Sequence, residues 1–435
     1  MSDLVIKDMS IIDGETVIEQ GYVVIREGQF QEVRAGDYET NSNTRTHVIS
    51  GKGKMMIPGL VNTHTHSPMT LLRGWSDDLE LERWLSEKIW PAEAQMTEQM
   101  SEVGTNLALV EMIRSGTTMF SDMYHLNREG TAKAVEETGM KALLTRGIIT
   151  MFDSASVASE KLHKAVDYAK RCNASSTRRL KGGLFPHAVY TNRFTFLEDV
   201  REAATKEQLP IQLHMSETKK EVADHLRTYG MRPAEHLLTG GILSEGDLLV
   251  HAVHVDEDEI TLMNDKNVNV SHNPLSNLKL GSGIAPIPHM HRQGVGISLG
   301  TDSAASNNTL DIFAEMRQAA MLHKGNLQSA EVISSQEALR MATVNGAKAL
   351  GFLDSGLIQA GYAADFIMID TRSAHLQPLT IDPATIVYAA GKCDVSDVYV
   401  NGRPLMTNKE LLTIDEERVL YDANRARKQL VESSN

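Results

Sequence analysis

The sequence predicts an α/β fold, a (β/α)8 barrel of TIM type with a small β-sandwich domain built from both ends of the chain. Three observations predict it. From Pro58 to about Asp365, short apolar runs alternate with segments of helical length and amphipathic spacing, the pattern of βα units around a parallel sheet. Both flanks read instead as short β-rich runs divided by turn signals. Six of the eight candidate barrel strands end in a histidine or a carboxylate, at the end where such barrels carry their chemistry. The expected limits are 1–57 and 366–435 for the two parts of the small domain and 58–365 for the barrel.

In chain order, Leu4-Val-Ile6, residues 21–26 and residues 30–33 are strands, with Asp13-Gly14 and Glu27-Gly28 as turns. Residues 36–46 are polar and aperiodic, a surface loop, and extended pattern resumes at His47 and at Met55. The candidate barrel strands are 59–62, 117–122, 141–145, 183–186, 210–213, 247–250, 268–270 and 295–299. Residues 97–115 and 334–350 carry Leu, Met, Val and Ala at helical spacing and read as helices facing the core. Strand pattern returns at 364–370 and 395–402, where Asn401-Gly402 is a hairpin turn.

With 435 residues and 41% hydrophobic content, the chain is long enough for a large packed core. A net charge of −14 and the lack of a basic run argue against a nucleic-acid partner and for a small molecule. Cys172 and Cys393 are the only cysteines, which form neither a disulfide framework nor a Cys-x-x-Cys metal site. No run of about 18 apolar residues and no basic-then-apolar leader pattern is present, so the expectation is a cytoplasmic protein without a membrane partner.

The first barrel strand runs into Pro58-Gly-Leu-Val-Asn-Thr-His-Thr-His66. Successive strand residues point to opposite faces, so His64 and His66 share one. Two imidazoles suit a divalent metal but do not complete a site, which takes three or four ligands. Other strand ends offer His187, His214 with Glu217, His251 with His254, His272, and Asp302. Their convergence at one barrel mouth is what makes His64, His66, His214 and Asp302 a candidate ligand set. His187, His254 and His272 also read as strand-cap or loop residues. His289 and His291 lie two apart in a helix and do not share a face.

Five stretches carry a resemblance: residues 58–66, His214-Met-Ser-Glu217, residues 271–286, Gly300-Thr-Asp-Ser-Ala-Ala-Ser-Asn-Asn308 and Gly361-Tyr-Ala-Ala-Asp-Phe366. On these motifs the chain resembles the amidohydrolase superfamily, and within it the 5-methylthioadenosine/S-adenosylhomocysteine deaminases, with chloro-s-triazine chlorohydrolases and guanine-type deaminases as the alternative. The resemblance implies one divalent metal per subunit, zinc with iron(II) as the other fit, held by His64, His66, His214 and Asp302. Binuclear relatives bridge two metals through a lysine at the end of strand four. Here that position reads Phe185-Pro-His-Ala-Val-Tyr190, and Lys181 lies at the other end. The other zinc-deaminase design needs Pro-Cys-x-x-Cys, which is absent.

The mechanism that follows has Asp302 taking a proton from a metal-activated water, Glu217 protonating a ring nitrogen, and His251 hydrogen-bonding the water and the developing alkoxide. All three tryptophans, Trp75, Trp84 and Trp90, fall between His66 and the first long helix, with Asp77, Asp78 and Glu93. By resemblance, Trp84 meets the thioether side of a nucleoside, Glu93 and His187 the ribose, and Arg146 the carboxylate of S-adenosylhomocysteine. A second arginine common in relatives is missing from residues 147–160, which favours 5-methylthioadenosine. A nucleoside or other heterocycle is the expected substrate, and a homo-oligomer the expected assembly. A non-catalytic barrel of the same descent is the remaining reading, and it would have no need of all four ligand positions and Glu217.

Overall fold

The computed structural model describes residues 3–39 and 46–433 of the chain. Part of the loop expected over 36–46 therefore lies outside the described residues.

Eight parallel strands form the barrel: Leu60–Thr65, Thr117–Tyr124, Lys141–Ile148, Leu180–Pro186, Gln212–Met215, Leu248–His251, Asn269–His272 and Gly296–Leu299. All eight expected strands are present. They pair as two four-stranded sheets, and two seams close them into a ring. One seam is bridged at Leu184–Ile211 and Ala188–His214, the other at Thr65–Asp302. The backbone bonds His214 N to His187 O (3.0 Å) and Asp302 N to His64 O (3.0 Å) belong to these seams. Both seams thus meet beside the candidate ligands.

The chain ends share one nine-stranded sheet. Its centre is Lys54–Pro58, which pairs parallel with Asp3–Ile12 and antiparallel with Phe366–Asp370. The strand that seals the two ends together therefore leads directly into the histidine pair. Asp3–Ile12 is long enough to carry Val17–Arg26 on one side and Thr46–Ser50 followed by Lys54–Pro58 on the other. The expected hairpin is present between Val395–Val400 and Arg403–Thr407. Asn401 and Gly402 both have positive φ (48° and 68°), as a two-residue type I′ hairpin turn requires.

Two expectations change. The helix expected over 334–350 is two, Ser335–Met341 and Val344–Ala349, broken at Thr343 (φ −133°, ψ −99°). The break frees the Ala342 carbonyl to accept from Val61 N (2.8 Å) and so ties the helix pair to the first barrel strand. The second concerns the C-terminus, where residues 416–433 form a helix, Glu416–Ser433, that adds nothing to the sheet. Its apolar stripe, Val419, Ala423, Ala426 and Leu430, recurs at helical spacing, and Ala423, Ala426 and Leu430 pack with Met69, Leu72 and Trp84 of the barrel. Arg427 donates to Leu71 O (2.7 Å), and Arg114 pairs with Glu416.

The helix expected at 97–115 spans Glu98–Arg114, with the Thr97 hydroxyl accepting from Met100 N (3.1 Å) as its cap. Gly104 in that helix meets the turn after His66 so closely that a β-carbon would lie 2.3 Å from Pro68 O. No helix among the described residues is long and apolar enough to cross a membrane.

Candidate active site

At the C-terminal mouth of the barrel, one ligand atom each from His64, His66, His214 and Asp302 lies within 4.8 Å of all the others. It is the only group of this kind among the described residues. His64 Nε2 is 3.0 Å from His66 Nε2 and 3.1 Å from His214 Nε2. Asp302 Oδ1 is 3.3 Å from His64 Nε2 and 3.1 Å from His66 Nε2. Ligands about 2.0–2.1 Å from a common ion stand roughly 3.0–3.4 Å apart, so these spacings fit a single divalent metal.

The supporting bonds fit as well. His214 Nδ1–H donates to His187 O (2.8 Å), which leaves the Nε2 lone pair aimed at the cluster. Burial holds the His64 imidazole down to about 4 and His214 well below its usual value, so both stay neutral and able to ligate. Burial pushes the Asp302 carboxyl up, but its contacts with His64 and His66 outweigh that and hold it well below the usual carboxylate range. Asp302 Oδ2 also accepts from Ser276 Oγ and Ser306 Oγ, each at 2.7 Å. No lysine joins the group; Lys181 lies over the Phe352 ring at the far end of its strand.

Glu217 is buried and faces the same space. Its Oε1 accepts from Ser282 Oγ (3.4 Å), and its Oε2 is 3.7 Å from His251 Nε2. Burial, reinforced by the charge of Asp302, pushes its carboxyl up to about 8. Glu221 fixes the backbone beneath it, accepting from Ser216 N (2.8 Å) and Glu217 N (2.9 Å). His251 Nδ1 is 2.8 Å from Asn277 Oδ1 and donates to it, so Nε2 presents a lone pair to the cavity. Ser216, His251 and Asp302 all have positive φ (51°, 76° and 60°). Such backbone costs non-glycine residues about 1–3 kcal/mol each and turns the chain sharply at three strand ends.

His66, His214, Glu217, His251 and Asp302 line one cavity of about 750 Å³. Trp84, Trp90, Glu93, Arg146 and His187 line it too, so every residue expected to touch substrate is there. Trp84 is buried, its indole N–H donating to Ser76 O (3.0 Å). Burial raises the Glu93 carboxyl above its usual value. Arg146 makes no ion pair among the described residues, and burial with the nearby Arg128 charge lowers its pKa. Trp75 lies under Arg427 instead, 4.3 Å from guanidinium to ring centre, and Asp77 pairs with Lys279 (2.6 Å). His272 packs on His323, His291 pairs with Glu337, and His254 donates to Ser282 O.

Sequence reasoning missed several residues here. His125 lines the rim, just past a strand that runs on to Tyr124, beyond its expected end at Asp122. Ser276, Asn277 and Ser282 sit inside the 271–286 motif, whose composition does not say which partners they meet. Glu221 had a signal, Thr218 three residues ahead of it, the spacing of a capping box. Thr218 Oγ1 does accept from Glu221 N, but the Glu221 carboxylate reaches past the cap to Ser216 and Glu217.

Comparison with known proteins gives a consistent set of relatives. The model of the amidohydrolase family matches residues 55–405. A 5-methylthioadenosine/S-adenosylhomocysteine deaminase from Shouchella clausii is 44% identical over 424 residues, covering 97% of this chain and 98% of that protein. A 5'-deoxyadenosine deaminase from Methanosarcina barkeri is 41% identical over 435 residues, covering 99% of each. Among solved structures, an adenosine deaminase from Xanthomonas campestris with bound zinc superposes with a TM-score of 0.93 at 34% identity, covering 99% of each chain.

Proposed function

The chain belongs to the amidohydrolase family and is a hydrolytic deaminase of adenosine-type nucleosides, and we propose 5-methylthioadenosine as its preferred substrate. The observation that carries this reading is the cavity in which Glu217, His251 and His66, His214 and Asp302 of the four-residue cluster face Glu93 and an apolar outer wall.

In this reading His64, His66, His214 and Asp302 would hold one divalent ion, zinc by similarity to the relative that binds it. When bound, such an ion supplies a nucleophilic water by lowering its pKa from about 15.7 toward about 7. Asp302 is ionised and adjacent, so it takes the proton that this water loses. The His251 lone pair at Nε2 accepts a hydrogen bond from the same water, which refines the oxyanion role expected from sequence. Glu217, neutral when its pKa is near 8, donates its proton to the ring nitrogen next to C6. The C6–O bond forms as that nitrogen is protonated. Asp302 then passes its proton to the amino group, the C6–N bond breaks with loss of ammonia, and the proton of the new C6 hydroxyl returns to Glu217, which leaves the inosine analogue and restores the acid.

At the other end, the Glu93 carboxylate suits two vicinal ribose hydroxyls, with His187 beside them. Leu81, Leu85, Ile149, Met151 and Phe152 supply an apolar wall for a methylthio or deoxy 5' group. A second reading has one observation in its favour: Arg146 stands in the cavity with no ion-pair partner among the described residues, which suits the carboxylate of S-adenosylhomocysteine. For domain organisation we propose the barrel over 58–365 and an accessory β-sandwich from the strands on either side, with the C-terminal helix docked on the barrel.

Metal analysis with ammonia release from 5-methylthioadenosine, 5'-deoxyadenosine, S-adenosylhomocysteine, adenosine, guanine and a chlorotriazine tests the proposal. The expected order places the two apolar 5' substrates first. Full activity in metal-free protein, or turnover confined to guanine or the chlorotriazine, would overturn it.

A further inference from the structure

Beneath the cluster lies an ion pair that touches neither the cavity nor the substrate residues. Asp122, in the second barrel strand, and Arg128, at the start of the helix Arg128–Thr138, have fully buried side chains, with Nη1 2.8 Å from Oδ2. The other oxygen, Oδ1, accepts from Ser67 N (2.6 Å) and lies 2.9 Å from Thr65 Oγ1. Thr65 and Ser67 are the two neighbours of His66.

That placement matters because His66 is where the strand stops. Leu60–Thr65 is the last laddered stretch, His66 itself has φ −123° and ψ 74°, and Ser67–Leu72 is a short 3-10 helix. His64 lies inside the strand, with its carbonyl accepting from Asp302 N across the seam (3.0 Å), whereas the direction in which His66 leaves the barrel wall depends on its flanks. One carboxylate oxygen reaches both, holding Ser67 N directly and sharing the Thr65 hydroxyl with Ser121 O (2.8 Å). Arg128 in turn keeps that carboxylate paired, donates from Nη2 to Asp122 O (3.2 Å), and lies 5.7 Å from the Tyr168 ring centre.

A fully buried ion pair is a poor source of net stability, since desolvation offsets its attraction, and its best-attested use is to fix a register. We infer that Asp122, held by Arg128, is a positioning residue that sets His66 for metal binding. The inference rests on the proposed metal cluster. It predicts that a chain without Asp122, destabilised by the buried Arg128 charge left unpaired, receives the ion in a distorted site.

Cobalt(II) binding in the full chain tests it, read by chelator competition and by the visible ligand-field spectrum, with circular dichroism as the check on folding. Asp122→Asn retains the shape but cannot pair with Arg128 while accepting from Ser67. It is expected to weaken cobalt binding by about tenfold or more and to shift the visible bands. Thr65→Val, a milder change at the same oxygen, is expected to give a smaller loss with a shift in the same direction. His163→Ala, on an exposed helix, serves as the unchanged control. A folded Asp122→Asn protein with wild-type affinity and spectrum overturns the inference. Should that variant fail to fold, wild-type binding and spectrum in Thr65→Val do the same. A wild-type chain that takes up no cobalt at this site overturns the metal reading itself, and with it this inference.

Discussion

The inner and outer ends of the cavity are built differently. At the inner end His64 is 1% exposed, Glu217 4% and Asp302 7%, and each meets a residue from another element: His214 beside His64, Ser282 on Glu217 and Ser276 on Asp302. At the outer end Phe152 is 98% exposed, Trp90 44% and Ile149 41%. The loop there is pinned at its base, where Thr150 N and Met151 N both donate to Thr191 O, while Phe152 projects from it. A buried polar group must have its partners or cost stability, so the inner end is over-determined. The outer end carries no such constraint. Chemistry is thereby separated from choice of substrate, and substitutions at the two ends should fail in different ways.

The largest expected effect is at the inner end. Glu217→Gln keeps the shape and removes the proton, so kcat should fall by about 10²–10⁴ while bound metal, measured by elemental analysis, stays at the wild-type level. A variant with normal kcat would end the distinction drawn between the two regions, because the proton donor would have to lie elsewhere.

Midway between the ends, Glu93→Gln tests the ribose contact. Hydrogen bonds to a charged group contribute about 1.5–3 kcal/mol, which corresponds to roughly 10–100-fold in kcat/KM. The loss should shrink when the substrate lacks its 2'-hydroxyl. Equal losses for ribo and deoxyribo substrates would remove Glu93 from that role.

At the outer end, Arg146→Met should leave 5-methylthioadenosine turnover within about twofold and lower kcat/KM for S-adenosylhomocysteine by about tenfold. An equal fall for both substrates would mean that Arg146 supports the fold of the rim and does not select.

The same division explains what could be read from sequence. The eight strands, the histidine pair and the convergence of His214, Glu217, His251 and Asp302 were legible because strand periodicity fixes which end and which face a residue occupies. The left-handed backbone at Ser216, His251 and Asp302 was not, since none is a glycine and positive φ in such residues is imposed by tertiary contacts. Nor were the partners that lie far apart in sequence, such as Glu221 beneath Glu217 or Ser276 and Ser306 on Asp302. Hydroxyls and carboxylates occur throughout the chain, and only folding says which of them meet. The C-terminal helix was missed for another reason: its charged residues outnumber its apolar ones, and the narrow Val419–Leu430 stripe is easily overlooked beside a chain that otherwise ends in strands.

The smallest effect concerns stability and uses the first substitution again. Glu217 has a folded-state pKa near 8 against an ordinary 4.5, with burial as the main cause. The folded protein therefore retains a proton at this site that the unfolded chain has released. Across the window from about 4.5 to 8, the unfolded state binds fewer protons, so this carboxyl lowers stability by roughly 1.4 kcal/mol for each unit of rising pH. Below that window both states are protonated, and above it both are ionised, so the slope vanishes on either side. Glutamine does not titrate and should remove the slope. In metal-free protein, Glu217→Gln should match the wild-type melting temperature near pH 5 and exceed it by several degrees near pH 7.5, as measured by calorimetry. A difference that stays constant between those two pH values would mean that Glu217 is already ionised in the metal-free fold. The inner end would then lack the neutral acid on which its chemistry depends.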